Sequence, residues 1–450
     1  MEAQANPIGR TAARFIAAAP ERTYAPEVLD IAKRCLVDWM GVTIGGHGEP
    51  LAPMILRLAA SWDTGGRARI VLGPLAAPGV AALVNGTLAH AQDFDDTHPD
   101  ALGHISAPTW AAVFSLATHH GCSEAEALSA FITGFEVAGR LFGPGMGAAI
   151  QVRGFHPTAV FGRFAATAAA CALLRLDEAH TANALGVAAT TAGGLIASLG
   201  TMSKPFHAGK GAMDGVLAAH LAGEGFEAAT HLLDADNGLA GAFVQDRSVR
   251  FEATEFSEGL QLKRNAFKPY ACCKGTHPTV DAGRALADAV KGQRIERVVL
   301  TVNPMHKRIA GKERPQTPLE AKFSLSFCAA LGLRGYAASA TDFVAERVAD
   351  PDLRDLEARV AVNPSPDIPT TSVHCEVVLA DGRKLEHHVP VARGNPENPL
   401  TWDDLHAKFT GLVAPRLGAD SEPLFETLRD FDRPGQLARA ERLVTPPAPN

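Results

Sequence analysis

Residues 90–104 carry three histidines, His90, His98 and His104, four aspartates, Asp93, Asp95, Asp96 and Asp100, and Thr97. Carboxylates this close raise one another's pKa, which suits groups that take and return protons near neutral pH. The run follows an apolar stretch over 77–91 and precedes another over 107–118. On a continuing helix, His90, Asp93 and Thr97 share one face, so that Asp93 and Thr97 hold one ligand between them. The plainer alternative is a polar helix end, with Asp and Thr capping and His98-Pro99 turning the chain. Capping one end does not require so many acids and imidazoles.

Three further segments supply cations and imidazoles. In Gly154-Phe-His-Pro157, the proline holds His156 extended at the positive end of a helix, a setting for a neutral imidazole or an anion contact. In Gly200-Thr-Met-Ser-Lys-Pro-Phe-His-Ala-Gly-Lys210, a tight connection bounded by Gly and Pro adds three positive groups, Lys204, His207 and Lys210. In Phe267-Lys-Pro-Tyr-Ala-Cys-Cys-Lys-Gly-Thr-His277, Lys268 again precedes a proline, with Tyr270, Lys274 and His277 nearby. Singly, such residues are most often solvated lysines or loop histidines. Together, opposite an acidic cluster, they are what proton abstraction or elimination beside a carboxylate requires. Cations bind the carboxylates and the enediolate-like charge that develops, and a carboxylate or imidazole moves the proton.

The elements that must position these residues change character along the chain. From about residue 7 to 245 the pattern is helical and Ala-rich, with apolar residues three and four apart. Pro26 opens a helix that Gly45-Gly46 should stop, and Ser123 and Glu126 form a capping box. Pro157 begins a helix running to about 175, and Arg69–Leu72 reads as a short strand. After about 262, strands enter at 294–302 and as a hairpin over 372–389 turning at Asp381-Gly382, with helices at 277–291 and 318–332. Helices return after 398. The expected fold is mainly α with an α+β second domain. Residues 1–264 and 396–450 form a large helical domain built from both chain ends, and 265–395 form a smaller inserted α/β lid.

Composition narrows the function classes. The 450 residues are 46% hydrophobic and 20% charged, with a net charge of −7 and no basic stripe, so nucleic acid is not an expected partner. No apolar run is long enough to cross a membrane, and the N-terminus lacks a signal peptide's continuous apolar core, so a cytoplasmic location is expected. The seven scattered cysteines include a vicinal Cys272-Cys273 pair rather than a CxxC, so neither a zinc nor an iron–sulfur centre is expected. Asp95-Asp96-Thr-His-Pro-Asp100 also resembles the aspartate-rich metal site of helical prenyl-diphosphate enzymes. An aromatic content of 6% is thin for a carbocation cavity, and that reading leaves the Lys and His segments unexplained. A carboxylate-binding protein without catalysis is the other alternative.

The ordered motifs resemble the MmgE/PrpD family over nearly the whole chain. They run from Asp38-Trp-Met-Gly-Val-Thr-Ile-Gly-Gly46 through DFDDTH, GFHPTAVFG, TMSKPFHAGK and KPYACCKGTHP to the EAKFSLSF run ending at Phe327. The family includes 2-methylcitrate dehydratase, cis-aconitate decarboxylase and iminodisuccinate epimerase. The resemblance implies a homodimeric lyase without metal or organic cofactor, acting on a small di- or tricarboxylate. It places Asp93, His104, His156 and His277 in catalysis and Thr97, Lys204 and Lys268 in substrate binding. Phe327 stands where the decarboxylase branch carries a tyrosine. Dehydration of a 2-methylcitrate-like acid, decarboxylation and epimerisation all start from the same stabilised carbanion, so the shared motifs leave the three open.

Overall fold

The computed structural model describes residues 7–62, 65–143, 145–233, 235, 237–244, 249, 256 and 261–446. Among the described residues the protein is mainly helical with two small sheets. Two compact units divide the chain: Met1–Ala91, Asp95–Ala266 and Leu405–Asn450 in the larger, Gln92–Phe94 and Phe267–Asp404 in the smaller. Among the described residues no helix is long and apolar enough to cross a membrane.

The larger unit is built on helices Pro26–Gly46, Pro78–Ala89, Ser106–His120, Glu124–Phe142, Pro157–Leu173 and Ser203–Gly223. Pro lies in the first turn of several, where its missing N–H costs no hydrogen bond. Ser123 and Glu126 form the expected capping box. The Ser203–Gly223 helix packs against both Pro78–Ala89 and Pro157–Leu173, and alanine and glycine make the approach close. A Cβ on Gly86 would lie 2.8 Å from the Cα of Gly209, so these two helices touch through backbone. That contact fixes where His90, which ends one helix, stands relative to Lys204, which begins the other.

In the larger unit strands β1 (Ala68–Arg69) and β2 (Leu75–Ala76) form a short antiparallel pair. In the smaller unit strands β3 (Ile295–Val302), β4 (Val360–Pro364), β5 (Val373–Leu379) and β6 (Lys384–Val389) form a sheet of order β4-β3-β5-β6. β3 runs parallel to β4 and antiparallel to β5, and β5 pairs antiparallel with β6. Val373, Cys375, Val377 and Leu379 are buried in alternation along β5, as a one-sided sheet requires. The hairpin turns at Asp381-Gly382 as expected, with Gly382 at φ 87°. Helices His277–Val290 and Leu325–Leu333 pack on each other at Gly283 and Gly332.

Several local expectations are corrected. The Pro26 helix ends at Gly45-Gly46 as expected, but both glycines lie within it as its last two residues, and a Cβ on Gly46 would collide with the Leu88 backbone. The helix expected over 318–332 is two, Pro318–Ala321 and Leu325–Leu333, because Ser324 turns extended and caps the second through the Phe327 N–H at 3.2 Å. The strand expected at 69–72 is the pair Ala68–Arg69 and Leu75–Ala76, ended by Leu72 at φ 52°.

Candidate active site

The helix before the acidic run does not continue. It ends at Ala89, with His90 as its C-cap, and Asp93 adopts a left-handed conformation at φ 54°. A short polar side chain tolerates that conformation better than a branched one. The shared face expected for His90, Asp93 and Thr97 therefore does not form: Asp93 falls in the smaller unit, and His90 and Thr97 in the larger. Each unit holds its own cluster.

In the larger unit Asp95 is the centre. Its carboxylate accepts from His90 Nδ1 at 2.8 and 3.0 Å, and His104 Nδ1 lies 3.0 Å from Oδ2. Burial works to raise the Asp95 carboxyl, but the attraction and hydrogen bonds of His104 and His90 override it and hold it well below the usual range. An ionised carboxylate only accepts, so it fixes the Nδ1–H form of both rings and leaves Nε2 as the lone-pair nitrogen. His90 Nε2 is buried without a hydrogen-bond partner. Burial pushes the His90 imidazole down to about 3, Asp95 opposing and Lys204 and His104 assisting.

His156 N-caps the Pro157 helix in an extended conformation, pinned by its own N–H to Gly194 O at 2.9 Å. Its ring stacks 5.9 Å from that of His90, and burial, then Lys204 and the neighbouring imidazoles, hold its pKa well below 6.5. Lys204 does not lie on a connecting loop as expected. It is buried in the first turn of the Ser203–Gly223 helix, with Pro205 next to it, where a helix tolerates proline. Of the three cations expected there, Lys210 is paired with Asp214, which also takes Arg163. His207 is kept neutral by burial and by Lys204. Lys204 thus supplies the positive charge beside the imidazoles.

Beneath this cluster lies a second buried network. Lys408 Nζ donates to Asp38 Oδ1 at 2.5 Å, the Asp96 N–H donates to Asp38 Oδ2 at 3.1 Å, and Asn265 Nδ2 donates to Asp96 Oδ2 at 2.8 Å. Burial and the nearby Asp38 charge push the Asp96 carboxyl up to about 7. Thr97 is buried and exchanges both backbone hydrogen bonds with Ala266 at 2.9 Å, which anchors the run. His98 packs its ring against Phe135, and burial pushes it down to about 4, so it is a core histidine.

In the smaller unit Lys268 is almost fully buried. Its Nζ donates to Asp93 O at 2.8 Å and lies 3.2 Å from Asp93 Oδ1, while Lys322 Nζ donates to Gln92 O at 2.7 Å. Two buried lysines thus hold the 92–94 segment. His277 begins its helix fully buried, Nε2 3.2 Å from Cys272 O and Nδ1 without a partner. Burial, with Lys274 and Lys268, holds it neutral. Cys272 and Cys273 are buried free thiols, and burial pushes Cys273 up to about 12, which makes it inert as a nucleophile.

Of the sequence-derived site residues, His104, His156 and Lys204 gather in the larger unit around His90 and Asp95, while Asp93, Lys268 and His277 gather in the smaller. His90 and Asp95 were not expected to be working members, although their five-residue spacing in an acidic run was the available signal. His207 was expected only as a cation. His90, Asp95 and His104 offer donor atoms within 4.8 Å of one another, a spacing that a metal ion can bridge. Asp95 already links both imidazoles, which accounts for the cluster through its own hydrogen bonds.

Buried neutral imidazoles have a measurable signature. Below pH 6.5 an unfolded chain binds protons that folded His90, His98, His156 and His277 refuse, so stability rises with pH across that window by up to about 1.4 kcal/mol per pH unit for each group. Asp96 acts oppositely: folded, it keeps a proton that the unfolded chain releases, so its contribution falls between pH 3.8 and about 7. Asp38, also raised by burial, acts in the same sense as Asp96, and four histidines outweigh two acids. The urea midpoint is expected to climb from pH 4.5 to 6.5; a midpoint that fell would contradict neutral burial.

The larger unit therefore gathers two imidazoles against one carboxylate, a third imidazole and a buried lysine, groups of the kind that move protons and bind anions. Residues 10–252 match the MmgE/PrpD N-terminal domain and 270–430 the MmgE/PrpD C-terminal domain, and the chain belongs to the MmgE/PrpD family. It is 28% identical over 411 residues to a cis-aconitate decarboxylase of Mus musculus, covering 87% of this chain and 83% of that one. With the cis-aconitate decarboxylase of Homo sapiens it shares 28% over 391 residues, 83% and 80% of the two chains. A cis-aconitate decarboxylase-like protein of Aspergillus oryzae is 26% identical over 432 residues, 88% of each.

Proposed function

We propose that this protein is a cofactor-independent lyase of small tricarboxylates, and that it decarboxylates a cis-aconitate-like acid. The observation that carries the reading is the Asp95-anchored imidazole pair beside buried Lys204. The names of the relatives favour loss of CO2 over loss of water. In this reading Lys204 and Thr97 bind substrate carboxylates, Lys268 contributes to binding, and His104 and His156 move protons, with Asp93 and His277 supporting the chemistry. Breaking the C–CO2 bond leaves its electron pair delocalised toward a neighbouring carboxylate, where a cation stabilises it. A new C–H bond then forms with a proton from an imidazole. Phe327 is fully buried and has no phenol to offer, so proton donation falls to the histidines. The reading extends to a cytoplasmic homodimer.

The test is a substrate panel in D2O followed by NMR, containing cis-aconitate, trans-aconitate, citrate, 2-methylcitrate and iminodisuccinate. Expected is one deuteron incorporated into a decarboxylated alkene from cis-aconitate, and loss of that turnover in Lys204→Met and His104→Gln without unfolding. An alkene from 2-methylcitrate alone would make the protein a dehydratase. Deuterium uptake without net reaction would make it an epimerase. Turnover of none of these acids, or near-normal activity in both variants, would overturn the reading.

A further inference from the structure

A decarboxylation consumes one proton per turnover, and the histidines that could supply it are largely shut away from water. His90 is fully buried and His156 is 6% exposed. A buried imidazole that has given up its proton during the reaction needs a partner from which to replace it while substrate still fills the site. His156 has such a partner. Its Nδ1 lies 3.0 Å from Nδ1 of His207, a residue one turn along the Ser203–Gly223 helix from Lys204 and only partly buried.

We propose that His207 is the relay through which His156 exchanges protons with solvent. The proposal rests on the reading of His156 as a proton-transfer group. Two Nδ1 atoms at hydrogen-bond distance require opposite tautomers, one carrying the hydrogen and the other the lone pair. With the hydrogen on His207, the passage balances in full. Water or a buffer acid places a proton on His207 Nε2, and the His207 Nδ1–H bond breaks as a His156 Nδ1–H bond forms. The His156 Nε2–H bond then breaks as the C–H bond of the product forms. One proton has moved from solvent to carbon, no electrons have changed hands, and both rings end neutral. Their starting tautomers re-equilibrate with water once product has left.

The charges around the pair favour this traffic. His207 is faced by Lys204 on its own helix and by Arg163 and His156 from the Pro157–Leu173 element, and Arg163 is itself paired with Asp214. Burial, then Lys204, lowers both imidazoles, so neither ring traps the proton as a stable imidazolium. The ring centroids sit 5.2 Å apart, and a Cβ on Gly194 would lie 3.5 Å from the His207 ring. His207 therefore acts through His156 and need not touch substrate.

The experiment compares His207→Ala with wild type on cis-aconitate at low buffer concentration, then with added imidazole. Expected is a kcat lowered about 100-fold, the lower end of what a positioned acid–base group contributes. KM should be nearly unchanged, and kcat should rise again as imidazole is added. His156→Gln serves as the control: it should be inactive and unresponsive to imidazole. A His207→Ala enzyme with wild-type kcat at low buffer, or with a loss that no imidazole concentration restores, overturns the relay while leaving the role of His156 standing. Normal turnover in His156→Gln overturns the reading on which the relay rests.

Discussion

Asp95→Asn is expected to lower kcat by about 10²–10⁴-fold while leaving the fold intact. The carboxylate accepts from His90 and lies within hydrogen-bond distance of His104 Nδ1, so it serves both rings at once. An asparagine of the same shape has one acceptor and one NH2 donor. An NH2 in the place of either oxygen sets a donor against the Nδ1–H of His90, which lies within 3.0 Å of both. That imidazole must turn over or move its hydrogen to Nε2, and then presents a donor where a lone pair stood. The substitution also removes the negative charge that steadies an imidazolium formed during the reaction. Because the affected groups move protons rather than bind carboxylates, KM should change far less than kcat. Steady-state kinetics on cis-aconitate, with circular dichroism to confirm folding, decide the matter. A variant with more than a tenth of wild-type kcat would show that Asp95 does not orient the imidazoles.

Lys408→Met is expected to cost about 3–5 kcal/mol of stability at pH 8, the price of stranding a buried carboxylate. Lys408 and Asp38 are almost completely buried, at 5% and 1% side-chain exposure, and lie 370 residues apart. Burial lowers the Lys408 ammonium while Asp38 raises it in return, so each needs the other to stay charged. Without Lys408, Asp38 must ionise unpaired or take up a proton. Its carboxyl is already raised by burial, so protonation is easier at low pH, and the loss should shrink toward pH 5. Asp38→Asn/Lys408→Met, which removes both charges, should recover much of the stability. Urea denaturation of the two variants at pH 5 and 8 tests this, and equal losses at both values would contradict it. Since Asp38 also accepts the Asp96 N–H, the single variant should loosen the turn that presents Asp95 and lose activity below its unfolding transition.

Much of this was legible in residue order. Helix starts announce themselves chemically: Pro26, Pro157 and the Ser123/Glu126 capping box act within one turn of chain, so no distant partner is needed to recognise them. The β5–β6 hairpin was equally plain, since alternation and Asp-Gly are local. His156 and Lys204 stood out because each precedes a proline in an otherwise apolar, Ala-rich helical region, and His104 because it closes the acidic run. The break between Pro318–Ala321 and Leu325–Leu333 was not visible, because Ser324 caps only when the chain around it turns extended, and apolar periodicity passes through it unmarked.

The residue types of the His90–His104 run, and their capacity for proton transfer, are set by the sequence alone. Which of them work together was decided by the tertiary structure. Asp93 and Asp95 are two residues apart, yet the left-handed turn at Asp93 sends them to different units, one to buried Lys268 and the other to His90 and His104. Asp96, next along, is claimed by Asn265 and by the network of Asp38 and Lys408. A carboxylate's role depends on what lies within about 3 Å of its oxygens. Asp95 finds its partners nearby in sequence, but for Asp93 and Asp96 the deciding neighbours are Lys268 and Asn265, more than a hundred residues further along the chain, where no local spacing points to them.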